Sequence, residues 1–159
     1  MSDPAAQAQA FAAVVTDTIG HLNRLHAALE EERRALTGTD PALLQDTVRH
    51  KLEVLAALEQ AVLDRDRVQH AAGMPPGLDG GERLVREHLP QLRARWDELL
   101  TLCREVDRCN ATNGRLATQG ARLAREALGL LTGRDQTPQL YGPERRKSDG
   151  LAGQSFGRV

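Results

Sequence analysis

Five histidines (His21, His26, His50, His70, His88) and two cysteines (Cys103, Cys109) are the side chains with which this chain could hold a metal or attack a substrate. Their spacing argues against both. His21 and His26 lie about 140° apart around a helix, so they share no face. No H-E-x-x-H occurs, and no histidine follows a glutamate by three, so the helical ligand pairs of zinc and di-iron sites are missing. The two cysteines stand about 240° apart on one helix and cannot bridge within it. They read as small core residues of a reducing compartment. The glycine-rich stretch from Gly73 to Gly81 lacks the lysine and the strand of a phosphate-cradling loop. No serine or cysteine has a base assigned to it by a local motif. The expectation is a protein without metal, cofactor or catalytic residue, one that binds rather than an enzyme.

The elements are long helices. Asp3-Pro4 pairs an N-cap acid with proline at the first helical position. From there Phe11, Val15, Thr18, Ile19, Leu22, Leu25, Leu29 and Leu36 hold a near-heptad seam as far as Thr37-Gly38, with one charged step at Glu32. The run Glu30-Glu31-Glu32-Arg33-Arg34 reads as a solvated, internally paired face. Asp40-Pro41 repeats the start signal, and so short a connection makes the second helix antiparallel to the first. Its stripe is Leu44, Val48, Leu52, Leu55, Leu58 and Val62, which the third helix is expected to cover. Gly73 to Gly81 reads as a loop, Glu82 to His88 as a short helical piece, and Pro90 as the restart or a kink.

The third helix has two halves. Leu92, Trp96, Leu99, Cys103 and Val106 step by four and three, as packing against other helices requires. Asn110 and Asn113 interrupt the seam, which resumes on Leu116, Gly120, Leu123, Ala127 and Leu130, with Leu128 and Leu131 beside it. From Pro90 to Leu131 this helix runs about 60 Å, roughly 10 Å beyond its neighbours, so its last turns should overhang. Their leucines admit two readings: completion of the intramolecular core, or a surface for an amphipathic partner helix.

After Gly133 the chain turns to Pro, Gly, Gln, Ser and a basic cluster, Arg145, Arg146 and Lys147. Such a composition cannot order itself. Tyr141 within it is either packed back on the helix end or a recognition anchor. The fold class is therefore all-α: an antiparallel helical hairpin plus a third long helix, an elongated, coiled-coil-like three-helix bundle. It forms a single domain over residues 1–133, with helices at about 4–37, 41–72 and 82 or 91–132, and a disordered C-terminal tail at 134–159.

Composition agrees. Only 3% of residues are aromatic against 40% hydrophobic, which suits stacked helices better than a sheet. A net charge of −1 argues against nucleic acid or an anionic membrane as partner. No apolar run reaches the roughly 20 residues of a membrane span, and no secretory signal opens the chain, so a cytoplasmic location is expected.

The run N-x-x-N-G-x-L (Asn110, Asn113, Gly114, Leu116), followed by Leu140-Tyr141-Gly142 and preceded by Arg95-Trp96, resembles the FlgN family of flagellar secretion chaperones over roughly residues 95–143. The resemblance implies a cytoplasmic chaperone that binds the terminal helical segments of hook–filament junction proteins (FlgK- and FlgL-like). It further implies that the chaperone prevents their early assembly and delivers them to the type III export gate. By that match Asn113, Leu116, Gly120, Leu123, Ala127, Leu128, Leu130 and Leu131 form the substrate surface. Tyr141 and Gly142 dock the cytoplasmic domain of the gate protein FlhA, with no nucleic acid and no direct membrane insertion. Pro143-Glu-Arg145-Arg146-Lys147 is more basic than the family pattern suggests. The alternative, from the heptad seam, is a homo-oligomeric coiled-coil scaffold or adaptor.

Overall fold

The computed structural model describes residues 3–133. Among them the order is α1 (Pro4–Thr37), α2 (Pro41–Ala71), α3 (Gly77–Glu87), a single 3-10 turn (Pro90–Leu92) and α4 (Arg93–Thr132), with no strand. Both start signals act as spelled. The Asp3 carboxylate accepts from Ala5 N at 3.0 Å, and Asp40 accepts from Ala42 N and Leu43 N at 3.0 and 3.2 Å, satisfying amide donors that a helix start leaves unpaired. The expected tail, with Tyr141, Gly142 and Arg145 to Lys147, lies outside the described residues. No described helix is long and apolar enough to cross a membrane.

Helix α1 is the spine. Phe11, Val15, Thr18, Ile19, Leu22, Leu25 and Leu29 are buried as its seam required, joined by Ala28, Ala35 and Glu32. Helix α2 folds back antiparallel, and its Cα atoms come within 8 Å of those of α1. Such an approach favours small side chains, and α2 turns Thr47, Val54 and Ala61 inward, with Arg65 and Gln69. This corrects the expected stripe. Val48, Leu52 and Leu55 are exposed and Leu44, Leu58 and Val62 half-buried, so the leucines lie on a flank instead of facing the hairpin. Helix α4 reaches α1 through side chains: Phe11 to Trp96, Glu30 to Cys109, Leu29 to Asn113. From the Phe11–Trp96 pair to the Glu30–Cys109 and Leu29–Asn113 pairs the numbers rise on both helices, so α4 runs parallel to α1.

The second correction is at Gly80 and Gly81, which stand inside α3 and not in a loop. A Cβ on Gly81 would lie 2.2 Å from Trp96 Cη2, and one on Gly80 would lie 1.8 Å from the Pro75 carbonyl oxygen. Both glycines serve close approach: Gly80 lets the Pro75 carbonyl come against α3, and Gly81 lets α3 pack its backbone against the Trp96 ring. The true connection is short. Gly73 (φ +75°) ends α2, with Met74 N donating to Gln69 O at 2.9 Å, a left-handed helix stop. The fully buried Gln69 amide then donates to Pro75 O and Gly77 O, both at 3.0 Å, and Asp66 accepts from Gly77 N.

Trp96 closes this end of the bundle. Its ring is fully buried, 5.9 Å from the Phe11 ring centroid, and its indole N–H donates to Glu82 at 2.9 Å. Arg93 grips the same carboxylate with two prongs, at 2.8 and 3.0 Å. The Arg93 hydrogen bonds, and then that of Trp96, hold the Glu82 carboxyl below its ordinary 4.5, against an opposing push from burial.

Gly81→Ala should destabilise the fold by about 1–3 kcal/mol, because the Trp96 ring must give way. Gly20→Ala, at an exposed site in mid-helix with open space around it, should instead raise stability by up to about 1 kcal/mol. Thermal melts of the two variants should move in opposite directions. A carboxyl whose folded pKa is depressed contributes fully above its unfolded value and loses the contribution as pH falls through the folded one. The thermal midpoint should therefore drop on acidification below about pH 4.5, and Glu82→Gln should start lower at neutral pH and show a shallower acid fall; equal acid slopes would remove Glu82 from the account.

Candidate partner-binding surface

On α4 the buried positions are Trp96, Leu99, Val106 and Asn113. The last is an amide, and its reason is on α1. Asn113 is 2% exposed, and its Nδ2 donates to the Leu29 carbonyl oxygen at 2.8 Å and to Glu32 Oε1 at 3.0 Å. The other Glu32 oxygen meets Lys51 Nζ of α2 in an ion pair. Glu32 is itself 4% exposed, so it does not belong to the solvated face that its charged neighbours suggested. A buried carboxylate needs both a counter-charge and hydrogen-bond donors, and α2 and α4 supply one each. Asn113 is thus placed in the core, as the polar link of three helices, and not on the surface to which the resemblance assigned it. Asn110, three residues earlier, is exposed.

Beyond this link α4 changes character. Leu116 is half-buried, and from Ala117 to Gly133 every residue is exposed save the half-buried Gly129. Leu123 is 54% exposed, Leu128 60%, Leu130 85% and Leu131 83%, values that leave most of each side chain in water. Gly120 and Ala127 are exposed between them, and a Cβ at Gly120 would meet nothing within 4 Å. Leu116, Gly120, Leu123, Ala127, Leu130 and Leu131 recur at steps of three and four, so they share one helix face, with Leu128 at its margin. Of the eight expected substrate-surface residues, the six from Gly120 onward are thus on an exposed apolar ridge. Such a ridge is the anchor pattern of helix-to-helix recognition.

The sequence reading missed a second apolar surface. Leu22, Leu25 and Leu29 of α1 floor a groove of about 250 Å³, with Leu55 of α2 on one wall and Cys103 and Val106 of α4 on the other. Asp107 and Asn110 form its polar lip. Burial raises the Cys103 thiol above its ordinary range, so it stays a neutral, apolar wall. Leu55 also belongs to a shallow apolar patch on α2 with Leu52, Ala56, Leu58 and Val62. The signal for this groove was the excess of leucines on α2 over what a close-packed hairpin can bury.

A family model described as FlgN protein matches residues 1–149. No curated protein and no solved structure shows a significant match.

Asn113→Ala removes a donor from a buried carboxylate, and should cost about 1–3 kcal/mol in urea unfolding. Asn110→Ala, at an exposed position, should stay within about 0.5 kcal/mol of the parent chain. Equal effects would show that Asn113 does not link the helices.

Proposed function

This chain belongs to the FlgN family, whose members are flagellar export chaperones that bind hook-associated proteins, and from that premise we propose that its exposed α4 ridge receives the terminal helical segments of hook–filament junction proteins (FlgK- and FlgL-like). The observation that carries this is the run of exposed leucines from Leu123 to Leu131, on a helix whose first half is committed to the core. A leucine fully buried by a partner is worth on the order of 1.5–3 kcal/mol, so three or four suffice for a specific but releasable complex.

The mechanism needs no bond-making, and the proposal includes that the chain is not an enzyme. An amphipathic segment that would otherwise assemble with its own kind lays its apolar face against the ridge. Ordering that segment consumes part of the contact energy, which keeps the complex releasable. The chain acts in the cytoplasm and hands the segment to the type III export gate, with Tyr141 and Gly142 docking the cytoplasmic domain of FlhA. The separation of roles is what the family resemblance implies, and the residue types suit it: leucines on a helix give area, while an aromatic between Pro138 and Pro143 in sequence can serve as an anchor.

Calorimetric titration of the full chain with the terminal helical segment of a junction protein tests the reading. Leu123→Asp and Leu130→Asp should each abolish binding while helix content stays the same, since neither side chain is buried. Leu52→Asp, on the α2 patch, should leave binding intact; the reverse pattern would move the surface to that patch. Tyr141→Ala should spare this binding and weaken capture by the FlhA cytoplasmic domain. A full chain that light scattering shows to be a stable dimer, and that binds no segment, would favour the self-associating scaffold.

A further inference from the structure

His26 and Glu30 stand one turn apart on α1, and α4 brings Cys109 against them. The Cys109 thiol donates to Glu30 Oε1 at 3.9 Å, and one donor atom from each of the three residues lies within 4.8 Å of the other two. All three side chains are half-buried, screened from bulk water yet reachable by a small ion. Arg34 bonds the backbone carbonyl of Glu30, which leaves the carboxylate itself to the thiol. A tetrahedral zinc ion, with nitrogen and oxygen donors at about 2.0–2.2 Å and sulfur at about 2.3 Å, holds its donors roughly 3.5 Å apart. The thiol and carboxylate stand close to that separation, and small rotamer adjustments bring in the imidazole.

From this geometry we infer that His26, Glu30 and Cys109 form a zinc site that clamps α1 to α4, with solvent in the fourth position. Imidazole and thiolate donors select Zn²⁺ over Mg²⁺ or Ca²⁺, which take oxygen. The site lies one turn before Asn113 on α4, so a bound ion reinforces the packed half of that helix next to its exposed half. No local motif revealed it, because the cysteine is seventy-nine residues from the glutamate in sequence. The inference does not depend on the chaperone reading.

Titrating chelator-treated full-length chain with Co²⁺, a spectroscopic stand-in for Zn²⁺, tests it. The expected result is a thiolate-to-cobalt charge-transfer band that saturates at one equivalent and is abolished by added Zn²⁺. Cys109→Ser should eliminate the band, Cys103→Ser should keep it, and His26→Gln should weaken Co²⁺ affinity at least about tenfold. Circular dichroism of each variant confirms that the helices persist. Absence of the band in the parent chain, its survival in Cys109→Ser, or its loss in Cys103→Ser would each overturn the assignment.

Discussion

The buried Glu32 carboxylate constrains everything around it. A charge removed from water must be matched, and the matching groups come from two other helices: Lys51 on α2 and Asn113 on α4. Apolar seams tolerate sliding by a turn at modest cost. A carboxylate that must meet one ammonium and one amide tolerates none, so this cluster fixes the register of α1, α2 and α4 together. At the other end Trp96 performs the corresponding task by shape, seated between Phe11, Gly81 and the Glu82 carboxylate. Between these two ends lie the leucines and valines of the core.

Much of this was legible in the sequence, and what was not shares one physical cause. The Asp-Pro starts are local chemistry and could be read directly. The seam of α1 and the first half of α4 are local periodicity. The change of role on α4 was legible too, as two asparagines interrupting a hydrophobic repeat. Yet periodicity could not say which asparagine turns inward, because the partners of Asn113 are more than eighty residues away. Glu32 was assigned to solvent for the same reason. Gly80 and Gly81 read as a loop because the reason for each glycine is a close approach that no local pattern spells, to the Pro75 carbonyl for Gly80 and to the Trp96 ring for Gly81. On α2 the leucines looked like the core face, but the close approach of α1 selected the small residues instead. Tyr141 and Gly142 fall outside the described residues.

The apolar groups are divided between core and surface. Leu22, Leu25 and Leu29 of α1 are buried, whereas several leucines of α2 and most beyond Asn113 on α4 remain in water. A bundle optimised only for stability would have covered or replaced them. The proposed capture of a helical partner segment would use that exposure. It also explains why the link at Asn113 matters: it anchors the helix that bears the exposed ridge.

Trp96 is the only tryptophan in the chain, and it is fully buried with its indole N–H bonded to Glu82. Leu123 lies twenty-seven residues further along α4, roughly 40 Å away at the helical rise. The protein therefore carries an intrinsic fluorophore remote from its exposed apolar ridge. Its emission monitors the integrity of the end where α1, α3 and α4 meet. Unfolding and the proposed partner capture are thus separable in a single cuvette, the first by tryptophan emission and the second by a dye placed beyond Asn113.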